Sequence, residues 1–371
     1  MKKKLLALII MLCLLTTGCF SYRDINKLLI VVTTIIDIDE NNNIIIYLEV
    51  FKPYRSEQIA GGKGQRLTYK SKGETILEAI RDLNLGTSLK LNFTQNKVLI
   101  FTKRAAEKGL KNFLDFLNRD QEYVLRQYMY IYEQDPEQLL KNLVPEEEYL
   151  GIYLFEIPIN QAASAKSYVT RIDEYLNNRL IGNEIDVLPI IILSTDHLDS
   201  KVRFQSSAIL KDDKMIGKID FDETAIYNLL TETIKSGTLL VTGEDKNIMT
   251  LEIVGTKLKT DIVYDGDTLK LKKKIDIRTT FASSQKSLEL NQAQVREKII
   301  ETAEKNVEEK CQKLFLKWKE EGTDIFEITK KFERVYKHQK LKVSDIIEIT
   351  ELEVDVNVTI EGSSDVTDYI D

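Results

Sequence analysis

The sequence predicts a multi-domain α+β fold with mixed and antiparallel sheets, packed helices and one long C-terminal helix. Three patterns carry that expectation. Strands and helices alternate between Gly73 and Val144, as they do where helices cover a sheet. Strands dominate from Val202 to Thr280. From about Gln292 to Lys319 apolar residues recur every three or four positions, the stripe of one helix face. A chain of 371 residues has length for two or three domains. The division expected is a leader over 1–18, an N-terminal α/β region over 19–196 with room for two subdomains, and a C-terminal α+β domain over 197–371 with its long helix at 292–319.

The leader comes first along the chain. Met1 is followed by Lys2, Lys3 and Lys4, then by eleven apolar residues from Leu5 to Leu15. That run is short of the roughly 20 residues a spanning helix needs, but it suits a cleaved secretory signal. Thr16, Thr17 and Gly18 supply the small residues a signal peptidase requires, which places Cys19 first in the mature chain. The pattern resembles a bacterial lipoprotein signal, and so implies a diacylglycerol thioether on the Cys19 sulfur and an acyl group on the freed amine. Two acyl chains anchor stably where one is marginal. Thr16 stands where such signals usually have Leu, with Leu15 one place earlier. The plainer reading is an ordinary secretory signal with an incidental cysteine.

Composition agrees with an exported body held by its own core. The cysteines are Cys13, Cys19 and Cys311; if Cys13 leaves with the leader and Cys19 carries lipid, no intrachain disulfide can form. Hydrophobic residues make up 43% and charged residues 30%, with a mean hydropathy of -0.22. Beyond the leader no apolar run reaches spanning length. The net charge of -7 becomes -10 once the three leader lysines are lost. That balance argues against nucleic acid or an anionic lipid surface as the main partner. The basic cluster Leu271 to Lys274 reads as a solvated strand end.

The mature elements follow in order. Leu28 to Ile38 and Ile44 to Phe51 are rich in β-branched residues and flank an Asn-rich turn at Asn41 to Asn43, the pattern of a hairpin. Ile59 to Arg66 holds Gly and Lys without phosphate-loop spacing, and reads as an exposed loop. Ile76, Leu77, Ile80 and Leu83 mark a helix, and Lys97 to Phe101 a buried strand. Leu110, Phe113, Leu114 and Leu117 mark a helix over Ala105 to Asp120; Val124 to Tyr132 reads as a strand. Asp135 and Pro136 open a short helix ending near Leu143. A helix is expected over Ala163 to Leu180, a strand with Pro189 over Val187 to Leu193, and a linker over Asp196 to Lys201.

Past the linker, turns are signalled at Asp212–Asp213 and at Asp265 to Asp267, with a short helix near Glu223 to Leu230. The long helix carries Val295, Ile299, Ala303, Val307, Cys311, Leu314 and Trp318 on one face, which makes Cys311 a buried structural thiol. A further helix is expected near Asp324 to Tyr336, and Leu352 to Ile360 alternates as a half-buried strand.

Chemistry-bearing motifs are scarce. His197 and His338 lie far apart without metal-spaced neighbours, and no G-x-S-x-G elbow occurs. Acidic groups such as Asp212 with Asp213, or Glu146 to Glu148, are ordinary among 59 carboxylates. A glycosidase pair, whose spacing exists only in three dimensions, stays open. The residues assign no catalytic, metal or cofactor-binding site, and favour a binding or structural role.

One set of segments then resembles a known family. Gly18 to Lys27, Leu28 to Asp39, Gly73 to Leu83, Leu91 to Asp120 (with Lys97, Val98, Gly109, Leu110, Arg119 and Asp120) and Ser206 to Thr224 stand in the order seen in the C subunit of bacterial spore germinant receptors, the Ger(x)C lipoproteins. Departures are Phe20 in place of Trp, Gln95 where His is common, and Phe332, Tyr336 and His338 in place of a Trp and Pro pattern. The resemblance implies an α+β lipoprotein on the outer face of the spore inner membrane. It implies integral-membrane A and B subunits as partners, a response to small nutrients, and no catalytic residue. The competing reading is a solute-binding lipoprotein serving a transporter, which predicts an aromatic-lined cleft between domains. A third is an envelope hydrolase with a convergent carboxylate pair. Direct small-molecule binding by the chain stays open; for Arg119 and Asp120 the favoured role is charge satisfaction at a helix end.

Overall fold

Asp39 decides where the first strand turns. Its carboxylate accepts from the Asn41 N–H at 2.9 Å and the Asn43 N–H at 2.8 Å, while Asn42 takes a φ of 64°, which Asn tolerates better than most residues. The turn folds β1 (Leu28–Ile38) onto β2 (Ile44–Lys52), and β2 pairs in turn with β3 (Gln65–Gly73). The structure is a computed structural model that describes residues 27–53, 64–119, 123–141, 147–160, 168–181, 184–194, 201–339 and 341–363. The leader, Cys19, Asp120 and His197 lie outside the described residues.

Thr75 caps α1 (Ile76–Leu85), accepting from the Glu78 N–H at 3.2 Å. Strands β4 (Lys90–Asn92) and β5 (Val98–Thr102) then run parallel to β1. The single helix expected after β5 is two, α2 (Lys103–Lys108) and α3 (Lys111–Arg119), because Gly109 between them sits at φ 120°, outside helical geometry. Next come β6 (Tyr128–Tyr132), shorter than expected, α4 (Pro136–Lys141) and the unanticipated α5 (Leu150–Asn160). Of the helix expected over Ala163 to Leu180 the described residues show α6 (Ile172–Ile181); Thr170–Arg171 before it is a short strand, β7, paired with β6, and 161–167 lie outside the described residues.

The stretch read as a linker connects neighbours in one sheet. β8 (Ile185–Ser194) pairs antiparallel with β9 (Lys201–Lys211) from Ile185↔Lys211 to Ser194↔Lys201, and β9 pairs with β10 (Lys214–Ile219). The boundary expected at 196/197 falls among undescribed residues, and the sheets divide later, after Ile219. Among the described residues the first sheet has ten strands, its main path being β10-β9-β8-β6-β5-β1-β2-β3. β8 meets β6 only at Ile190 and Ile191, just past Pro189, whose missing N–H removes a ladder donor.

Both faces of this sheet are covered. On one side Ile76, Ala79, Ala105, Phe113 and Ile172 of the helices pack on Val31, Leu48 and Leu99. On the other, Leu139, Leu150 and Leu154 pack on Ile35, Ile100 and Tyr130. The fully buried Glu49 fastens that second face. Its carboxylate accepts from Leu150 N and Gly151 N, both at 3.0 Å, from Thr33 Oγ1 at 2.6 Å and from Arg66 Nε at 2.6 Å. An anion at the first N–H groups of α5 is favoured by the helix dipole, and Arg66, which also donates to Leu140 O at 2.8 Å, balances the charge. Gly151 lets the helix approach: a Cβ there would lie 2.5 Å from Val32 O.

The remaining chain builds a second sheet. A capping box between Asp220 and Glu223 starts α7 (Phe221–Thr231). β11 (Gly237–Thr242), β12 (Ile248–Tyr264) and β13 (Leu269–Ser284) run antiparallel, and α8 (Ala293–Glu320) packs its buried stripe of Ile299, Ala303, Val307, Cys311, Leu314 and Trp318 against them. α9 (Ile328–Val335) and the unanticipated α10 (Val343–Ile349) lead to β14 (Thr350–Ser363), parallel to β13. β14 is an edge strand, and α8 satisfies its outer backbone groups. Glu304 and Glu308 accept from Val358 N (2.9 Å) and Val356 N (3.3 Å), while Gln312 and Lys319 donate to Leu352 O (2.9 Å) and Thr350 O (2.7 Å). Side chains along one flank of the helix thus reach backbone groups spread from Thr350 to Val358, which blocks this edge to a further strand.

Glu49→Ala leaves two buried helix N–H groups unpaired and the nearly buried Arg66 guanidinium without its counter-charge, and is expected to lower unfolding free energy by about 3–5 kcal/mol. Gly151→Ala is expected to cost about 1–3 kcal/mol through overpacking against β1. Urea unfolding followed by circular dichroism checks both; a loss within error of zero in either variant refutes this account of the α5 seat.

Candidate functional site

A cleft of about 730 Å³ opens where the first sheet meets the second. β8 contributes Ile185, Asp186 and Val187, α6 contributes Asn178, and the end of α7 contributes Tyr227, Thr231 and Glu232. The second sheet supplies Thr260 and Lys273, and the segment entering α9 supplies Asp324 to Glu327 with Lys330, Lys331 and Arg334. Tyr168 meets Tyr227 edge-on at 5.5 Å and Phe326 lies 6.3 Å beyond Tyr227, so one wall is aromatic.

Each polar side chain is placed by local structure. Lys273 sits on β13 between inward Leu271 and Ile275, so strict alternation turns it inward too. Its amine donates to Leu230 O at 2.6 Å, at the C-terminal end of α7, where the helix dipole favours a cation. Burial and the neighbouring Lys331 nonetheless press its pKa down to about 8. The reading of Leu271 to Lys274 as a solvated strand end therefore holds for Lys272 and Lys274, which pair across to Glu353 at 3.0 Å and Asp355 at 3.3 Å, and fails for Lys273.

Asp186 faces the cleft from the other sheet. Burial raises its pKa to about 7, with Asp213 and Glu327 adding to the rise and the hydrogen bond from Asn178 Nδ2 (3.0 Å) opposing it. Glu232 is raised by burial and by Glu174. Asp324 is raised by burial although its carboxylate accepts from Ile328 N at 2.9 Å and Thr329 N at 2.7 Å, the first N–H groups of α9. Glu327, held at φ 56°, pairs with Lys330 at 2.7 Å. The cleft therefore sets one acid, Asp186, and one base, Lys273, that change protonation near neutrality beside an aromatic wall. That arrangement suits a small polar molecule with charged ends.

The residues singled out from sequence lie elsewhere. Cys311 is buried under α8 with its thiol pushed up to about 12 by burial, as a structural thiol should be. His338 is exposed beyond α9. Arg119 is exposed and lies 4.0 Å from Asp115 on its own helix. Asp213 is buried, hydrogen-bonded by Tyr175 Oη at 3.1 Å and paired with Arg179 at 2.8 Å. Asp186 and Lys273 were not anticipated, whereas an aromatic-lined cleft is what the solute-binding alternative predicts. A lysine at an inward position of an alternating strand was the legible signal for Lys273.

Comparison with known proteins covers nearly the whole chain. Residues 21–193 match the family described as the spore germination protein N-terminal domain, and residues 205–364 the one described as spore germination B3/GerAC like, C-terminal. The cleft draws on both segments. Spore germination protein GerQC of Bacillus cereus is 22% identical over 305 residues, spanning 78% of this chain and 84% of that one. Spore germination protein KC of Bacillus subtilis (strain 168) is 30% identical over 152 residues, 39% of this chain and 37% of that one. The crystal structure of the GerBC protein aligns with a TM-score of 0.56 at 15% identity, over 89% of this chain and 97% of that chain, and shows the same fold.

The raised pKa of Asp186 has a signed consequence. The unfolded carboxyl releases its proton near pH 4 whereas the folded one keeps it to about 7, so stability contributed below pH 4 is lost as pH rises to 7. Asp186→Asn is expected to remove on the order of 4 kcal/mol of that decline. Urea unfolding at several pH values between about 4 and 8 measures it; an unchanged slope in the variant would refute the assignment.

Proposed function

Since the chain belongs to the GerAC-like family of spore germination proteins, we propose that it is the lipid-anchored C subunit of a nutrient germinant receptor. It acts without catalysis, beside integral-membrane A and B subunits, on the outer face of the spore inner membrane. The observation that carries this reading is the match of both family segments in order, over 21–193 and 205–364. Cys19 stands just ahead of the first segment and takes the lipid. Among the described residues no helix is long and apolar enough to cross a membrane, so an anchor at Cys19 supplies the attachment this reading needs.

The aromatic-walled cleft favours a second reading, in which the chain itself takes up a small polar solute, as a solute-binding lipoprotein does before delivery to a transporter. Tyr168, Tyr227 and Phe326 then pack against the solute's apolar part, while Asp186 and Lys273 take its charged ends.

Two measurements separate these readings. In spores lacking the protein, the native gene is expected to restore a nutrient response and membrane attachment, and Cys19→Ala to impair both; responses left intact by the deletion would sink the receptor reading. Calorimetric titration of the purified protein with a nutrient panel is expected, on the second reading, to give binding that weakens at least ~10-fold in Lys273→Met. Absence of heat across the panel removes the solute-binding reading.

A further inference from the structure

The chain enters the first sheet at an end that carries an apolar and basic rim. Leu28 pairs in register with Lys90. The Leu91 N–H donates to Asn84 Oδ1 at 3.4 Å, which sets the last turn of α1, and with it Leu85, beside that pair. Phe93 stacks on Tyr123 at 4.8 Å, and Val124 follows Tyr123. Leu85 is 88% exposed and Val124 44%. Lys27, Lys90 and Arg126 of these same segments are exposed as well, and so is Arg119 at the end of α3, whose Phe116 meets Tyr123 edge-on at 6.1 Å.

One exposed leucine is ordinary on a protein surface. Its position relative to the tether is what matters. Seven residues, Phe20 to Asn26, separate the anchor from Lys27, so the eight steps from Cys19 to Lys27 reach at most about 28 Å when fully extended. The rim is thus held close to whatever bears the lipid, at the high effective concentration a short tether gives. Charge works in the same direction. The chain as a whole is acidic, at -7, and an anionic surface repels it except where cations gather.

We propose that this end of the first sheet rests on the anionic lipid surface, with Leu85 and Val124 entering the headgroup boundary and Lys27, Lys90, Arg119 and Arg126 on lipid phosphates. The inference depends on the Cys19 anchor of the proposed function. The rim orients an already tethered protein and does not recruit a free one, which is consistent with the acidic balance of the whole chain.

The test uses the full chain, produced in a bacterium that acylates lipoproteins and reconstituted in vesicles of phosphatidylglycerol and phosphatidylcholine. An environment-sensitive dye is placed at Leu85→Cys, Val124→Cys or, as a control on the second sheet, Leu240→Cys, and flotation reports attachment. Dyes at 85 and 124 are expected to shift to the blue and to be quenched by spin-labelled lipid at least ~3-fold more than the dye at 240. Lys90→Glu combined with Arg126→Glu should bring them down to the control. Attached protein whose dye at 85 stays in water overturns the inference alone. Protein that fails to float overturns the anchor reading and this inference with it. A dye that stays in water on pure lipid but shifts in spore membranes assigns the rim to a protein partner and overturns the lipid assignment.

Discussion

The antiparallel ladder between β8 and β9 is the constraint on which the rest of the molecule depends. It runs from Ile185↔Lys211 to Ser194↔Lys201 and carries the start of the C-terminal family segment back into the N-terminal sheet. Because β9 and β10 complete that sheet, α7 leaves from its edge, and Val187, Ile209 and Ile219 join the core that α8 and the second sheet share. A flexible linker at this point would let the two family segments sit independently. A shared ladder instead sets the aromatic and charged walls of the cleft against each other.

Buried carboxylates show how differently the fold treats similar groups. Glu49 is surrounded by donors from two strands and a helix terminus, and Asp37 accepts from Thr102, from Arg104 and from the Ile38 N–H. Each fastens two elements together and behaves as structural mortar, because a paired buried charge is costly to disturb. Asp186 has the Asn178 amide and a polar cleft. With less to stabilise its ionised form, burial decides its protonation. The contrast between fully satisfied and sparsely satisfied acids is what separates the fold's fasteners from its candidate site.

The long helix has two tasks that one amphipathic stripe conceals. Its apolar face fills the core of the second sheet, while Glu304, Glu308, Gln312 and Lys319 on the flank satisfy the free edge of β14. Charged residues that look like generic solvent coating are therefore paired with main-chain groups more than thirty residues away. The outer face of β13 and β14 carries a similar ladder, with Lys270 and Lys272 on Glu353, Lys274 on Asp355 and Arg278 on Glu361.

Local pattern by itself determined most of the elements: the Asn-rich hairpin after β1, the buried-type β5, the stripe of α8 with Cys311 inside it, and the alternation of β14. These depend on periodicity and turn chemistry, which short windows of chain contain. The order of segments likewise determined the family. Tertiary structure decided where α5 begins, because that depends on Glu49 a hundred residues earlier, and why residues 201–219 belong to the first sheet, because strand pairing joins residues without local signals. It also decided the cleft. Asp186, Lys273 and Tyr227 come from three elements widely spaced in the chain, and their shifted protonation is caused by burial, a property that exists only once the two sheets have met.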